Sequence, residues 1–233
     1  VACLDVPLEE AREFGVMAVG DDDRIVAFEE KPRCPTPIPG RPGRALGSMG
    51  IYAFSADFLI AELERDAADA TSSHDFGKDL IPALVAREAR VHAHRFEASC
   101  VNMVGNRPYW RDVGTLDAYW EANLDLTQVV PELNLYDESW PMLGRKPHRP
   151  PAKFVFDDDD GRRGVAIDAL VASGCIVSGA TVRRSSLFYG VRVAEHSLID
   201  ESVLLPNVVV GRGVKLRRVI VDKHCVLPDG FSA

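Results

Sequence analysis

Paired cysteines, a surplus of positive charge, a membrane-length apolar run and a glycine-rich phosphate loop are all missing from this 233-residue chain. The five cysteines, Cys3, Cys34, Cys100, Cys175 and Cys225, are odd in number, scattered and without a C-x-x-C pair. That argues against a disulfide framework or a zinc site and fits a reducing cytoplasm. Lysine plus arginine number 27 against 35 aspartate plus glutamate, a net charge of −8. Such a surface repels a phosphate backbone, so nucleic acid is a poor partner. No apolar run approaches the ~20 residues needed to span a bilayer, and no charged-then-apolar leader opens the chain, which disfavours membrane insertion and secretion. Neither G-x-G-x-x-G nor a Walker sequence is present to cradle phosphates.

What is present reads as a folded protein: 46% apolar and 27% charged residues, near the average for globular chains. The length allows two cores. From residue 1 to 126 short apolar runs alternate with amphipathic segments, as in a mixed α/β domain. Residues 16–19 and 24–28 read as a hairpin across Gly20-Asp21-Asp22-Asp23. Residues 32–47 carry five prolines and three glycines and read as a long surface loop. A buried strand is expected over 48–53, and a helix capped by Ser55 with Phe58, Leu59 and Leu63 on one face. A second helix is expected from about Asp75, with Pro82 early in it or kinking it, then a strand over 91–96. A third helix is capped by Thr115, with Leu116, Tyr119, Trp120 and Leu124 on one stripe. Residues 127–164, broken by five prolines and holding Asp157-Asp158-Asp159-Asp160, read as an interdomain connection. Four consecutive aspartates suit a solvated loop rather than calcium, whose loops space their oxygen ligands.

After Gly164 a six-residue period begins. Apolar residues recur as Leu170, Ile176, Val182 and Phe188, then Leu187, Val193, Ile199 and Leu205, then Val208, Val214, Ile220 and Val226, with two slips of register. Glycines 174, 179, 190, 211 and 213 fall between them. One flat strand and a turn per six residues, three repeats to a coil, implies a parallel β-helix over 165–233. An antiparallel sheet would need two-residue alternation over longer runs. The chain opens on Val1 with a strand under way and closes at 231–233 within a repeat, so a piece of a longer protein is expected.

Four segments carry chemistry. In Phe28-Glu29-Glu30-Lys31-Pro32, proline restrains Lys31 to extended backbone, so its ammonium is held outward beside a carboxylate. Such a pair can serve the anionic end and the hydroxyls of one ligand; in isolation the motif reads first as a surface lysine, and its companion motifs reverse that. In Ser48-Met49-Gly50-Ile51-Tyr52 the glycine permits close approach of a ligand to backbone, and Ser48 offers a hydroxyl. Ser73-His74-Asp75-Phe76-Gly77-Lys78-Asp79 sets acid, base and aromatic at a helix start, where Asp75 is either a cap or a ligand. Tyr109-Trp110-Arg111-Asp112-Val113-Gly114-Thr115 places one carboxylate between aromatics and a turn that opens a helix. His92 and His94 share a strand face but lack a third ligand and read as a solvated pair. Arg212, Lys215, Arg217, Arg218 and Lys223 form a basic cluster on the repeats, of the kind solvent-facing turns usually supply.

These four segments, in this order and spacing, resemble the sugar-phosphate side of the glucose-1-phosphate adenylyltransferases. The resemblance implies the C-terminal part of a Rossmann-like sugar nucleotidyltransferase domain followed by a left-handed parallel β-helix of hexapeptide repeats. It implies that ATP and α-D-glucose 1-phosphate yield ADP-glucose and diphosphate for glycogen synthesis. Lys31 and Asp112 would be catalytic, Glu30, Lys31, Ser48, Asp75, Phe76 and Trp110 would bind the sugar phosphate, and Asp112 would hold Mg2+. Lys223 matches a basic family position linked to phosphorylated-metabolite or AMP effectors, and the family is homotetrameric and cytoplasmic. The family's N-terminal glycine-rich nucleotide loop and second magnesium-binding aspartate are not in this chain, so isolated turnover of ATP is not expected. The rival readings are a nucleotidyltransferase using UTP, dTTP or GTP, a regulatory subunit without the chemistry, and an acyltransferase-like or scaffolding β-helix with His196 or His224 as base.

Overall fold

The computed structural model describes residues 1–101, 103–104, 107–144, 147–159 and 161–233. They form two compact units, Val1–Pro108 and Tyr109–Ala233. Among them no helix is long and apolar enough to cross a membrane.

The first unit is built on a mixed five-stranded sheet. Its strands are β1 (Ala2–Pro7), β2 (Gly15–Val19), β3 (Ile25–Glu30), β4 (Arg44–Ser48) and β5 (His94–Arg95), in the order β3-β2-β4-β1-β5. The hairpin expected over 16–28 is β2–β3, antiparallel with a register shift between Ala18 and Val19. Side chains alternate across a strand, and both faces of the central strands are covered. Cys3, Met17, Ile25 and Leu46 enter one core, and Val6, Val16 and Ala45 enter the other with Ala11.

Helix α1 (Ala56–Ala67) begins after Ser55, whose backbone takes the cap position although its hydroxyl makes no cap bond. Its Glu62, buried to 5% exposure, binds Arg65 through both oxygens and also Arg87. Helix α2 (Ile81–Ala86) is entered through a wide π-helical turn, Phe76–Leu80, and carries Pro82 in its first turn, where a missing N–H costs little. Leu80, Ile81 and Leu84 form a third core that gathers Phe28, Tyr52, Phe54 and Phe76.

Three readings of this unit are corrected, the first being the surface loop expected over 32–47, which stops at Gly43 because Ala45 and Leu46 are buried in β4. The strand expected over 48–53 ends at Ser48, because Gly50 turns the chain through a left-handed φ of +69°. Ile51 is then 55% exposed, while Tyr52 and Phe54 reach the core from irregular backbone. The strand expected over 91–96 shrinks to His94–Arg95 beside β1, with an isolated bridge from His92 to Arg24.

The second unit holds α3 (Leu116–Asp125) and a left-handed parallel β-helix. Thr115 caps α3 through its hydroxyl, which accepts from the Ala118 N–H at 3.1 Å. Each of three β-helix faces is a ladder of short parallel strands. One runs from Lys153–Val155 through Ile176–Ser178 to Val226–Leu227, the second from Val165–Ile167 to Lys215–Arg217, the third from Leu170–Val171 to Ile220–Val221.

The coil is shorter than three hexapeptides. Val193 stacks on Val210 and Val210 on Leu227, 17 residues at each of these steps, after a step of 16 from Val177 to Val193. One side of the coil therefore advances five residues, as from Ile199 to Leu204 and from Leu216 to Val221, all four buried. The constant six-residue phase placed Ile176, Phe188, Ile220 and Val226 inside. They flank the stack instead, and Val226 is 71% exposed. The short corner is closed by fully buried serines. Ser185 and Ser202 each donate to a carbonyl two residues back and accept an N–H from the next coil, at 3.0 and 3.3 Å. Every corner has one left-handed residue: the series are Gly174, Gly190, Asn207, His224; Gly179, His196, Gly213, Gly230; and Asp168, Arg184, Glu201, Arg218.

Domain limits also differ from those read as 1–126, 127–164 and 165–233. Helix α3 belongs to the second unit because it contacts the strand Val203–Leu204, with Trp120 Nε1 donating to the Glu201 carbonyl at 2.8 Å and Arg218 over its ring at 5.0 Å. Lys153–Val155, inside the supposed connector, already pairs with Ile176–Ser178. In the acidic run, Asp157 pairs with Arg163 and Asp158 with Arg162. Asp160 lies outside the described residues.

Candidate functional site

Glu30 ends β3 and its carboxylate lies against bare backbone. An ideal Cβ on Gly15 would come within 2.7 Å of Glu30 Oε2, and one on Gly77 would overlap the same oxygen. Burial raises the Glu30 pKa above the usual carboxylate value, the Asp75 carboxylate adds to this, and Lys31 opposes it. Asp75 is therefore close, although 45 residues of chain separate the two. Its Oδ1 accepts from the N–H groups of Gly77 and Lys78, both at 2.8 Å, so the cap is made, and it fixes the turn that brings Gly77 to Glu30.

Ser48 completes the group from the end of β4. It is buried, and its hydroxyl accepts the Gly50 N–H at 3.2 Å and shares a hydrogen bond with Tyr52. The Tyr52 phenol is pushed up by burial, with Glu30 and Asp75 adding to the shift and the Ser48 bond offsetting it. Its ring stacks on Phe76, centroids 5.5 Å apart and 13° from parallel. One cluster of the first unit thus joins Glu30, Ser48, Tyr52, Asp75 and Phe76: two carboxylates, two hydroxyls and an aromatic pair. Acceptors beside a flat apolar wall suit a polyhydroxylated ring.

Lys31 follows Glu30 and is exposed, as expected, but its backbone is not extended. Its φ is +47°, a left-handed conformation that a non-glycine residue adopts at a cost of order 1 kcal/mol. Pro32 disfavours the right-handed region, and the Lys31 N–H is held by the Phe14 carbonyl at 3.0 Å.

Trp110, half-buried, and Asp112, exposed, belong to the second unit. There Arg111 pairs with Asp125 of α3, and the Asp112 carboxylate sits over Gly114, 3.2 Å from where a Cβ would stand. Among the described residues no group of three His, Cys, Asp or Glu could hold a metal. One exposed carboxylate nonetheless suits Mg2+, which takes one or two carboxylates and fills its shell with phosphate oxygens and water. Lys223 is exposed beside Asp222, whose carboxylate accepts its N–H at 2.7 Å. His94 faces Ser99 at 2.8 Å.

Sequence reasoning missed Tyr52 and the two glycines. Tyr52 ends the Ser48-Met49-Gly50-Ile51-Tyr52 segment, where its apolar neighbours make it read as part of a buried strand.

A nucleotidyl transferase family model matches residues 1–129, and one described as GlmU-like, C-terminal hexapeptide matches residues 150–233. The glucose-1-phosphate adenylyltransferase of Nitrosospira multiformis is 63% identical over 232 residues, all of this chain and 54% of its own length. Those of Nitrosomonas europaea and Dechloromonas aromatica are 60% and 58% identical, over 100% and 99% of this chain and 53% and 52% of theirs. The chain spans about half the length of the curated relatives it matches.

Proposed function

The chain belongs to the nucleotidyl transferase family, and on that premise we propose that it carries the sugar-phosphate half of a glucose-1-phosphate adenylyltransferase. The phosphate of α-D-glucose 1-phosphate attacks the α-phosphorus of ATP in line, the bond to the β-phosphate breaks, and ADP-glucose and diphosphate result. No covalent protein nucleophile is needed, so the protein's part is alignment and neutralisation of charge. Glu30 and Ser48 take ring hydroxyls, and Tyr52 and Phe76 offer the apolar wall. Asp75 holds the turn that brings Phe76 there. The Lys31 ammonium, a compact point charge, meets the sugar's phosphate. In the second unit, Trp110 is the candidate aromatic for the sugar and Asp112 the carboxylate that would hold Mg2+, which would supply neutralisation of phosphate charge when bound. Lys223 joins an anionic effector site of a cytoplasmic homotetramer.

The cluster of Glu30, Ser48, Tyr52, Asp75 and Phe76 is the observation that carries this reading, together with relatives named for the activity. Calorimetric titration of the chain with α-D-glucose 1-phosphate tests it. Saturable binding that Glu30→Gln and Lys31→Ala each weaken is the expected result, with no diphosphate released when ATP is added to the chain alone. An absence of saturable binding in the wild-type chain overturns the reading.

A further inference from the structure

Glu30 is the one acidic side chain of the cluster whose carboxylate rests in a slot made by the absence of other side chains. Gly15, the first residue of β2, is on one side, and Gly77, the second residue of the π-helical turn, is on the other. Both are buried. A Cβ on Gly15 would meet Glu30 Oε2 at 2.7 Å and the Phe28 ring at 2.5 Å, and one on Gly77 would overlap Glu30 Oε2 with Cδ at 3.0 Å. Contacts under 3.0 Å are far inside van der Waals separation, so neither position accepts a methyl while Glu30 stays where it is.

The two glycines differ in what else would have to move. At Gly15 the Phe28 ring, packed in the core, stands in the way. At Gly77 the next neighbour after Glu30 is Asp75 Oδ1 at 3.5 Å, an ordinary contact. The backbone of Gly77 is not in the left-handed region, so alanine strains nothing there and has the better helix propensity. The only group a methyl at 77 displaces is the end of the Glu30 side chain.

We propose that Gly77, with Gly15 opposite, is a positioning residue for sugar recognition: its bare Cα keeps open the slot that holds the Glu30 carboxylate, and one methyl there expels that carboxylate while the fold stands. The proposal rests on the sugar-phosphate reading for its functional consequence, and on the packing alone for its structural one. Gly77 is thereby a specificity determinant that touches no ligand. A ligand whose binding needs no acceptor at Glu30 is indifferent to it.

The experiment pairs Gly77→Ala with Glu30→Ala and the double variant in the whole chain. Carbon-13 NMR of labelled glutamates, with Glu30 assigned by difference against Glu30→Gln, follows the carboxyl through pH. In the wild type its midpoint stands above the ordinary carboxylate value, and in Gly77→Ala it falls back toward that value. An unchanged midpoint overturns the proposal whether or not sugar binds. In calorimetry with α-D-glucose 1-phosphate, Gly77→Ala weakens binding about 10- to 100-fold, the span of losing a hydrogen bond to a charged group. In the Glu30→Ala background the same change shifts affinity less than about twofold, because the coupled partner is gone. Equal losses in both backgrounds overturn it. If the wild type binds no sugar phosphate while the carboxyl midpoint still moves, the functional reading fails and the positioning stands. If Gly77→Ala lowers the melting temperature, Glu30→Ala added to it restores stability, and a failure to restore shows that the overlap was not the cause.

Discussion

Replacing Trp120 with alanine tests how the turn bearing Asp112 is held. Helix α3 is 10 residues long, too short to persist alone in water, so its order comes from docking. Trp120 supplies three parts of that docking. Its indole N–H bond to the Glu201 carbonyl, 2.8 Å long, contributes about 1 kcal/mol net. The Arg218 guanidinium over its ring contributes about 0.5–1 kcal/mol at a partly exposed site. Truncating a fully buried tryptophan costs about 3–5 kcal/mol, and roughly half of that applies to a half-buried one. The sum is roughly 3–4 kcal/mol, which at about 1.4 kcal/mol per decade is a 100- to 1,000-fold fall in protection. Amide hydrogen exchange reads this directly. In Trp120→Ala the amides of α3 exchange faster by that factor while the β-helix strands keep their protection, since each coil is held by its neighbours. Trp120→Phe keeps an aromatic ring and loses the hydrogen bond, so its effect is about fivefold. Equal protection of α3 in wild type and Trp120→Ala refutes the reasoning, as does an even loss across the whole unit.

Two further outcomes are expected. Gly164→Ala sets a methyl 2.6 Å from the carbonyl oxygens of both Val155 and Val177 and 2.9 Å from the Val155 nitrogen. Backbone in a ladder cannot step aside, so the urea midpoint of the β-helix should fall by the equivalent of about 3 kcal/mol, the upper range for overpacking. Gly213→Ala, with left-handed φ but open space around it, costs only about 1–2 kcal/mol, and a larger loss there than at Gly164 contradicts the steric argument. For Glu30, the raised folded pKa means the folded chain binds more protons than the unfolded one in the window from 4.5 upward. Its contribution to stability is complete below 4.5 and is lost as pH rises through the folded value. Sugar-phosphate affinity runs the other way, weakening as acid protonates the acceptor. Melting temperature against pH should therefore lose this downward slope in Glu30→Gln, and superimposable wild-type and variant curves remove the carboxylate from the account.

What could be read from the chain alone follows a physical line. Elements whose signal is local were visible. The acidic turn makes the β2–β3 hairpin, Thr115 caps α3, and a recurring apolar-plus-glycine rhythm makes the β-helix. The misread stretches are those where a neighbour far along the chain decides. Ile51, Tyr52, Ala53 and Phe54 are apolar enough for a strand, yet the left-handed Gly50 releases them from the sheet and the core of Leu80, Ile81 and Leu84 takes up the rings. The five-residue side of each coil hid behind a six-residue count because a serine side chain, not an extra backbone unit, satisfies the next coil's N–H. Lys31 was expected extended, and a carbonyl from Phe14, invisible in the local sequence, holds it left-handed.

The same line runs through the site. Glu30, Ser48, Asp75 and Phe76 announce themselves by the chemistry they carry, whereas Gly77 carries none. Its meaning exists only once the tertiary fold sets Glu30 against it, and every conformational reason for glycine is absent at that position because its φ is ordinary. A glycine whose φ is ordinary, and that faces an ionisable side chain across a slot narrower than a methyl, is there for the side chain's sake. The binding carboxylate and the bare backbone that admits it are one device, and substitutions at the two positions should be read as a coupled pair.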